Sequence, residues 1–195
     1  MTIHPDAVQD SPITFEAFKL HLDSTGDKDR RLYVIHAHVY FPYSTEADRE
    51  KAHKFQAAIK ARFADERGVR VGTIAPQAGG PHPMPQFETS FTKLHLVDVL
   101  PWLMFNRPEA FSILVHPFTA KVVEDHDSSA VWLGKQLQCH LGPLQKFQQH
   151  VATEIKAGKD EAAILWPFVE PAEYCQATSV RNLLWTSQQR KQRTC

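Results

Sequence analysis

The sequence predicts an α+β fold, a split βαβ sandwich in which an antiparallel four-stranded sheet carries two helices on one face. The run LYVIHAHVYF at 32–41 alternates with a period of two and is rich in β-branched and aromatic residues, which predicts a strand. Apolar residues at Phe55, Ala58, Ile59 and Phe63 recur at helical spacing. The chain has 195 residues and 43% hydrophobic content, enough for one compact domain with extensions.

Turn and capping signals define the first half of the predicted fold. The first strand ends at Pro42, and Thr45 followed three residues later by Asp48 predicts a capping box at the start of the first helix. Gly68 provides the signal that ends this helix. The next strand covers 69–74, and the Gly- and Pro-rich segment after it predicts a loop.

Shorter runs complete the predicted order of strand, helix, strand, strand, helix, strand. They predict strands over 86–91 and 111–115, and between these a second helix over 92–106 that bends near Pro101. This order is that of ferredoxin-like domains, in which the first strand lies between the third and the fourth. Both helices then cover one face of the sheet, and the other face is left for a partner, a substrate or an extension.

Two flanking segments complete the predicted domain organisation around a ferredoxin-like domain at 31–135. Residues 1–30 are polar and rich in turn formers, which predicts a loosely attached lead-in rather than a core element. Residues 136–195 predict a helical C-terminal extension, with helices over 144–155 and 180–188, long enough to cover part of the open sheet face.

Composition and charge exclude several classes of function. Lys+Arg and Asp+Glu both number 22, so the chain has no basic field for nucleic acid. The N-terminus lacks the apolar run of a signal peptide, and no segment approaches the roughly 20 apolar residues of a membrane span. Cys139, Cys175 and Cys195 lack CxxC spacing, which is typical of a reducing compartment. We therefore expect a cytoplasmic protein without membrane contact, and the open sheet face predicts a homodimer.

Strand periodicity predicts which polar side chains share the open face of the sheet. Along the first strand, His36 and His38 lie on the face opposite the apolar residues, and Glu88 takes the same face on the third strand. His116 follows the apolar run of the fourth strand and lies at the rim of this open face. Imidazoles and a carboxylate on one side of a metal form the facial triad of non-haem Fe(II) oxygenases, although zinc or manganese could occupy it too. A single histidine is more often structural, but the four residues together favour a metal site.

Two further histidines each have two open interpretations. His82 lies in GGPHP, which is consistent with a lid over a site or with a rigid turn. His126 lies between Asp125 and Asp127, either of which could orient its ring, or it could cap the helix that follows.

At these segments the sequence resembles the DOPA 4,5-dioxygenase family of small ferredoxin-like proteins. The resemblance rests on HAHVYF at 36–41, GPHP at 80–83, FE at 87–88, PWLMFNR at 101–107, SILVHP at 112–117 and DHDSSAVWLG at 125–134. It implies an extradiol dioxygenase, in which a non-haem Fe(II) supports opening of the ring of a catechol such as DOPA.

The resemblance also indicates which residues take part. The positions that match the family are His36, His38, His82, Glu88, His116 and His126. Strand parity favours His38, Glu88 and His116 as metal ligands, with His36 as the competing ligand from the first strand. His82 or His126 would then be the catalytic acid or base, because imidazole titrates near neutral pH.

Two other functions fit the same residues. One is a non-catalytic dimeric module that binds a metabolite or a metal and consumes no oxygen. The other is a metal-free enzyme in which His36 and His38 act directly as acid and base, so that its activity survives chelation. Bound iron together with oxygen uptake would distinguish the dioxygenase from both.

Overall fold

Five antiparallel strands form one sheet in the computed structural model, which describes residues 13–24 and 33–169. The strands are β1 (Val34–Tyr40), β2 (Val69–Val71), β3 (Gln86–Thr92), β4 (Ser112–Pro117) and β5 (Val131–Leu133). The helices are α1 (Phe15–Ser24), α2 (Glu46–Arg62), α3 (Leu96–Asn106), α4 (Val122–His126), α5 (Leu141–Lys156) and α6 (Glu161–Leu165).

The sheet has the order β2-β3-β1-β4-β5, with β1 at its centre. The prediction that the first strand lies between the third and the fourth is therefore confirmed, as is the ferredoxin-like α+β class. The predicted strand count of four is wrong, because β5 pairs with β4 at the edge. A strand of three residues is too short to show a period of two in the sequence.

The predicted capping box begins α2. The Thr45 side chain accepts a hydrogen bond from the Asp48 N–H at 3.1 Å, and the Asp48 carboxylate accepts one from the Thr45 N–H at 3.2 Å. The second predicted helix is also present. One turn of 3-10 helix at Lys93–His95 precedes α3, which contains Pro101.

One face of the sheet packs against α2 and α3. Three residues of β1 and the residue after it point towards these helices, and each is at most 3% exposed: Ile35, Ala37, Val39 and Phe41. They pack with residues of both helices in one apolar core. The alternation in the sequence thus assigns the apolar face of β1 correctly.

A second core lies apart from the first and joins α1 to the helices that follow the sheet. Its members are Ile13, Ala17, Phe18, Tyr33, Val34, Phe118, Val122, Leu144, Val151, Ala162, Leu165 and Val169. The prediction that the lead-in contributes no core element is wrong for residues 13–24. The average polarity of residues 1–30 hides a short amphipathic stretch in which Ile13, Ala17 and Phe18 follow helical spacing.

Of the two helices predicted in the C-terminal extension, one lies before residue 169, the last described residue, and the other lies after it. The helix expected over 144–155 is present as α5, whereas the helix expected over 180–188 lies outside the described residues. Across 13–24 and 33–169, none of the helices has the length and apolar character needed to span a bilayer.

The second core predicts a measurable role for α1. Phe18 is fully buried, so Phe18→Ala should lower the free energy of unfolding by about 3 to 5 kcal/mol. Glu16→Gln, on the exposed side of the same helix, should change it by no more than about 0.5 kcal/mol. Urea unfolding of both variants provides the measurement, and equal stabilities would mean that α1 is only loosely attached.

Candidate metal centre

Four polar side chains meet on the face of β1 that points away from α2 and α3. The register pairs His36 with His116 of β4 and His38 with Glu88 of β3. All four side chains are at most 3% exposed. The expectation of an open face is therefore wrong, because this face is covered. The open face was the reason to expect a homodimer. The homodimer therefore stays a prediction without that support.

The atoms of these four residues approach each other closely. Nε2 of His38 lies 3.1 Å from Nε2 of His116. On the other side of the His38 ring, Oε2 of Glu88 lies 3.8 Å from Nδ1 of His38 and 3.4 Å from Nδ1 of His36. Oε1 of Glu88 accepts a hydrogen bond from the Ser90 hydroxyl at 2.6 Å. The carboxylate and His116 thus approach His38 through different ring nitrogens.

His82 joins this cluster from the Gly- and Pro-rich loop. Its ring is buried and its centroid lies 4.3 Å from that of His38. Nδ1 of His82 shares a hydrogen bond of 2.8 Å with the hydroxyl of Tyr40, which lies on the same face of β1. Reciprocal backbone hydrogen bonds between Gly79 and His82 close the expected turn, and this turn places the His82 ring inside the site.

His126 joins the cluster from the last residue of α4, and its ring centroid lies 4.0 Å from that of His116. Its Nδ1–H donates to the carbonyl oxygen of Val122 at 2.9 Å. The expectation that a neighbouring aspartate orients the ring is wrong for Asp125, whose carboxylate accepts hydrogen bonds from Thr119. His126 also caps no following helix, because it ends α4.

Hydrogen bonds to the backbone determine the tautomers of two rings. Nδ1–H of His116 donates to the Pro117 carbonyl at 2.6 Å, as that of His126 does to Val122. Each ring then keeps a lone pair on Nε2, the atom that would coordinate a metal. Metal-binding histidines commonly have their second nitrogen held in this way.

Burial makes the cluster neutral. Desolvation lowers the pKa of His36 to about 3 and that of His126 to about 4. Desolvation, together with the neighbouring histidines, holds the pKa values of His38, His82 and His116 well below the ordinary range. Desolvation also raises the pKa of Glu88 to about 8. Neutral imidazoles are the form that binds metals, so the site carries ligands without a competing proton.

The residues present fit a transition-metal ion. Two groups of three histidines bring their ligand atoms within 4.8 Å of one another, and these are His36, His38 and His116, and His38, His82 and His126. Ligands at the usual Zn–N distance would lie about 2.9 to 3.4 Å apart, which matches the separation of 3.1 Å between His38 and His116. Within the described residues, Nε2 of His36 is buried without a hydrogen-bond partner. An ion would satisfy this nitrogen.

Aromatic rings that the sequence reasoning did not select complete the site. Phe118 stacks on His36 with centroids 4.6 Å apart and an interplanar angle of 11°. Trp132 of β5 stacks on Tyr40 at 5.7 Å. The parity of Tyr40 with His36 and His38 could have identified it, whereas Phe118 and Trp132 lie outside any periodic signal.

The fold and this buried centre define a class: a ferredoxin-like α+β protein whose sheet bears a histidine-rich site suited to a metal. The model of the Dopa 4,5-dioxygenase family matches residues 35–142, which is more than half of the chain, and the chain belongs to this family. The match contains all six predicted site residues.

Two relatives support the assignment. The DOPA 4,5-dioxygenase of Amanita muscaria is 29% identical over 118 residues, covering 60% of this chain and 51% of the relative, so the chain matches only about half of that protein. A crystal structure of a provisionally named dioxygenase from Nostoc punctiforme is 36% identical, with a TM-score of 0.52 over 59% of this chain and 93% of that one. Both relatives carry the name of a dioxygenase.

The raised pKa of Glu88 predicts a pH-dependent stability in the metal-free protein. The folded-state pKa of about 8 lies above the ordinary 4.5, so the stability contributed by the protonated group is complete below pH 4.5 and is lost as the pH rises through 8. Glu88→Gln cannot ionise. Its stability relative to the wild type should rise over this range by up to about 1.4 kcal/mol per pH unit. Urea unfolding with a chelator measures this, and a pH-independent difference would contradict it.

Proposed function

We propose that this chain is a non-haem Fe(II)-dependent extradiol dioxygenase that opens the ring of a catechol such as DOPA. The observation that carries the proposal is the convergence of His36, His38 and His116, whose ligand atoms lie within 4.8 Å of one another in a buried site. Membership of the Dopa 4,5-dioxygenase family supports the reaction class. Imidazole ligands suit iron, and they also suit zinc, so the metal is part of the proposal.

We assign the metal to His36, His38 and His116 because all three have an oxygen atom near Nδ1. Glu88 faces Nδ1 of His36 and of His38, and the Pro117 carbonyl accepts from Nδ1 of His116. This leaves the three Nε2 atoms for coordination. Three protein ligands with further positions available are typical of a catalytic site, where substrate must also bind.

Glu88 takes a different role from the one that strand parity favoured. It lies on the Nδ1 side of His38, whereas His116 meets the same ring at Nε2. A carboxylate that accepts from the outer nitrogen of a ligating histidine fixes the ring and raises its basicity. A nearby cation would also lower the pKa of Glu88, so we propose that it is ionised and orients His36 and His38 when the metal is bound.

Iron held by His36, His38 and His116 would supply both a Lewis acid that lowers the pKa of the catechol hydroxyls and positions next to one another for catechol and dioxygen. The chain itself provides groups that hold protons. His126 has its lone pair on Nε2 beside His116, and His82 is held by the Tyr40 hydroxyl. We assign proton acceptance from the catechol and proton return to these two residues.

The metal-free acid–base alternative assigns the proton transfers directly to His36 and His38. Desolvation lowers the pKa values of these two rings, as it lowers those of His82 and His126. The two mechanisms therefore differ in their response to chelation rather than in the basicity of their residues. The non-catalytic binding module differs from the dioxygenase only in its lack of turnover.

Anaerobic reconstitution with Fe(II) followed by an oxygen-uptake assay tests the proposed function. We expect stoichiometric iron, equal consumption of oxygen and catechol, and a yellow ring-opened product. Resorcinol, whose hydroxyls are not adjacent, serves as the matched control and should give no uptake. Iron binding without uptake would support the binding module, and activity that survives chelation would support the metal-free enzyme.

The two histidine groups predict opposite mutational patterns. If the metal lies at His36, His38 and His116, His116→Ala should abolish iron binding, whereas His126→Ala should retain iron and lower kcat by about 10² to 10⁴. His53→Ala, at an exposed position of α2, should change neither quantity. Iron analysis and kcat measurements provide the test. Iron lost from His126→Ala and kept by His116→Ala would move the metal to His38, His82 and His126.

A further inference from the structure

His126 reaches the site at the end of the short helix α4. α4 has five residues, and a helix of that length is unstable alone because nucleation is costly. Its N-cap residue, Lys121, makes no capping hydrogen bond with its side chain. Hydrogen bonds from Thr119 to the Asp125 carboxylate tie α4 to the preceding segment, and tertiary contacts add to this hold on α4 and His126.

A side chain of α5 provides one of these contacts. The amide oxygen of Gln148 accepts a hydrogen bond from the backbone N–H of Val123 at 2.9 Å. Val123 lies in the first turn of α4, where a backbone N–H has no partner within the helix. Gln148 therefore caps the Val123 N–H from a neighbouring helix.

Apolar contacts reinforce this hydrogen bond. Leu144 and Val151 are spaced four before and three after Gln148, so the three residues lie on one face of α5. Both are buried in the second core together with Val122 of α4. The contact between α4 and α5 thus combines one directed hydrogen bond with apolar packing.

Val122 links the contact between α4 and α5 to the site. The carbonyl of Val122, which α5 holds in place, is the acceptor for Nδ1–H of His126. The Val122 carbonyl and the Val123 N–H belong to one peptide group, so fraying of the first turn of α4 would turn this acceptor away from His126. The His126 ring, whose centroid lies 4.0 Å from that of His116, would then lose its orientation. The family match ends at residue 142, so most of α5 lies beyond it.

We propose that Gln148 is a positioning residue, which holds α4 so that His126 keeps its proton on Nδ1 and its lone pair towards the metal ligands. The C-terminal extension then belongs to the functional site. The effect on turnover rests on the proposed function, whereas the effect on the His126 ring does not.

Three variants of the full chain separate the hydrogen bond from packing. Gln148→Leu keeps a similar volume without an acceptor, Gln148→Glu keeps an oxygen that can accept from Val123, and Gln149→Leu alters the exposed neighbour. Ring-nitrogen NMR of ¹⁵N-labelled, metal-free protein reports the His126 tautomer. We expect a single Nδ1–H form in the wild type, Gln148→Glu and Gln149→Leu, and a mixture of tautomers in Gln148→Leu.

In the iron-loaded enzyme, Gln148→Leu should lower kcat by about 10-fold or more at unchanged iron content, and Gln148→Glu should restore it. A single unchanged tautomer in folded Gln148→Leu would overturn the inference, as would failure of folded Gln148→Glu to restore the wild-type signals. If Gln148→Leu does not fold, Gln148→Ala takes its place with the same expectations. A tautomer mixture in the variant, combined with no oxygen uptake by the wild type, would reject the proposed function and leave this inference standing.

Discussion

The register of β1 with its two neighbours is the constraint on which the site depends. Antiparallel pairing places His36 opposite His116 and His38 opposite Glu88. A slip of one residue would turn every side chain of β1 to the other face of the sheet. The apolar residues of β1 prevent that slip, because it would move Ala37 and Val39 into the polar cluster and bury imidazoles against α2 and α3. The hydrophobic core therefore determines the geometry of the polar site.

The second constraint is that the polar face is buried rather than open. Phe118 belongs to the second core and also stacks on His36, so the packing of α1, α4, α5 and α6 continues to the edge of the histidine cluster. Burial excludes water and lowers the histidine pKa values, which keeps the imidazoles neutral. A buried group of neutral nitrogen donors beside a carboxyl is costly for a purely structural purpose, and a bound cation offsets that cost.

Sequence patterns correctly predicted the features of the fold that depend on residues close together in the chain. Alternation along β1 assigned His36 and His38 to a common face, and the spacing of Thr45 and Asp48 located the start of α2. It was insufficient where the partner is distant. No local pattern shows that Phe118 covers His36, that Tyr40 bonds His82, or that the Val122 carbonyl, rather than Asp125, orients His126. The role of residues 13–24 was missed because their amphipathic pattern is shorter than the polar segment around it.

The six site residues come from elements that differ in their own stability. Strands β1, β3 and β4 position four of the six site residues, and the strand register fixes their relative placement once the sheet forms. His82 and His126 come from a loop and a five-residue helix, which are the elements with the least stability of their own. Their placement depends on contacts with Tyr40 and with α5. A rigid sheet for the proposed metal ligands and adjustable segments for the proposed proton-transfer residues would let the loop and α4 change the rate while the centre stays the same.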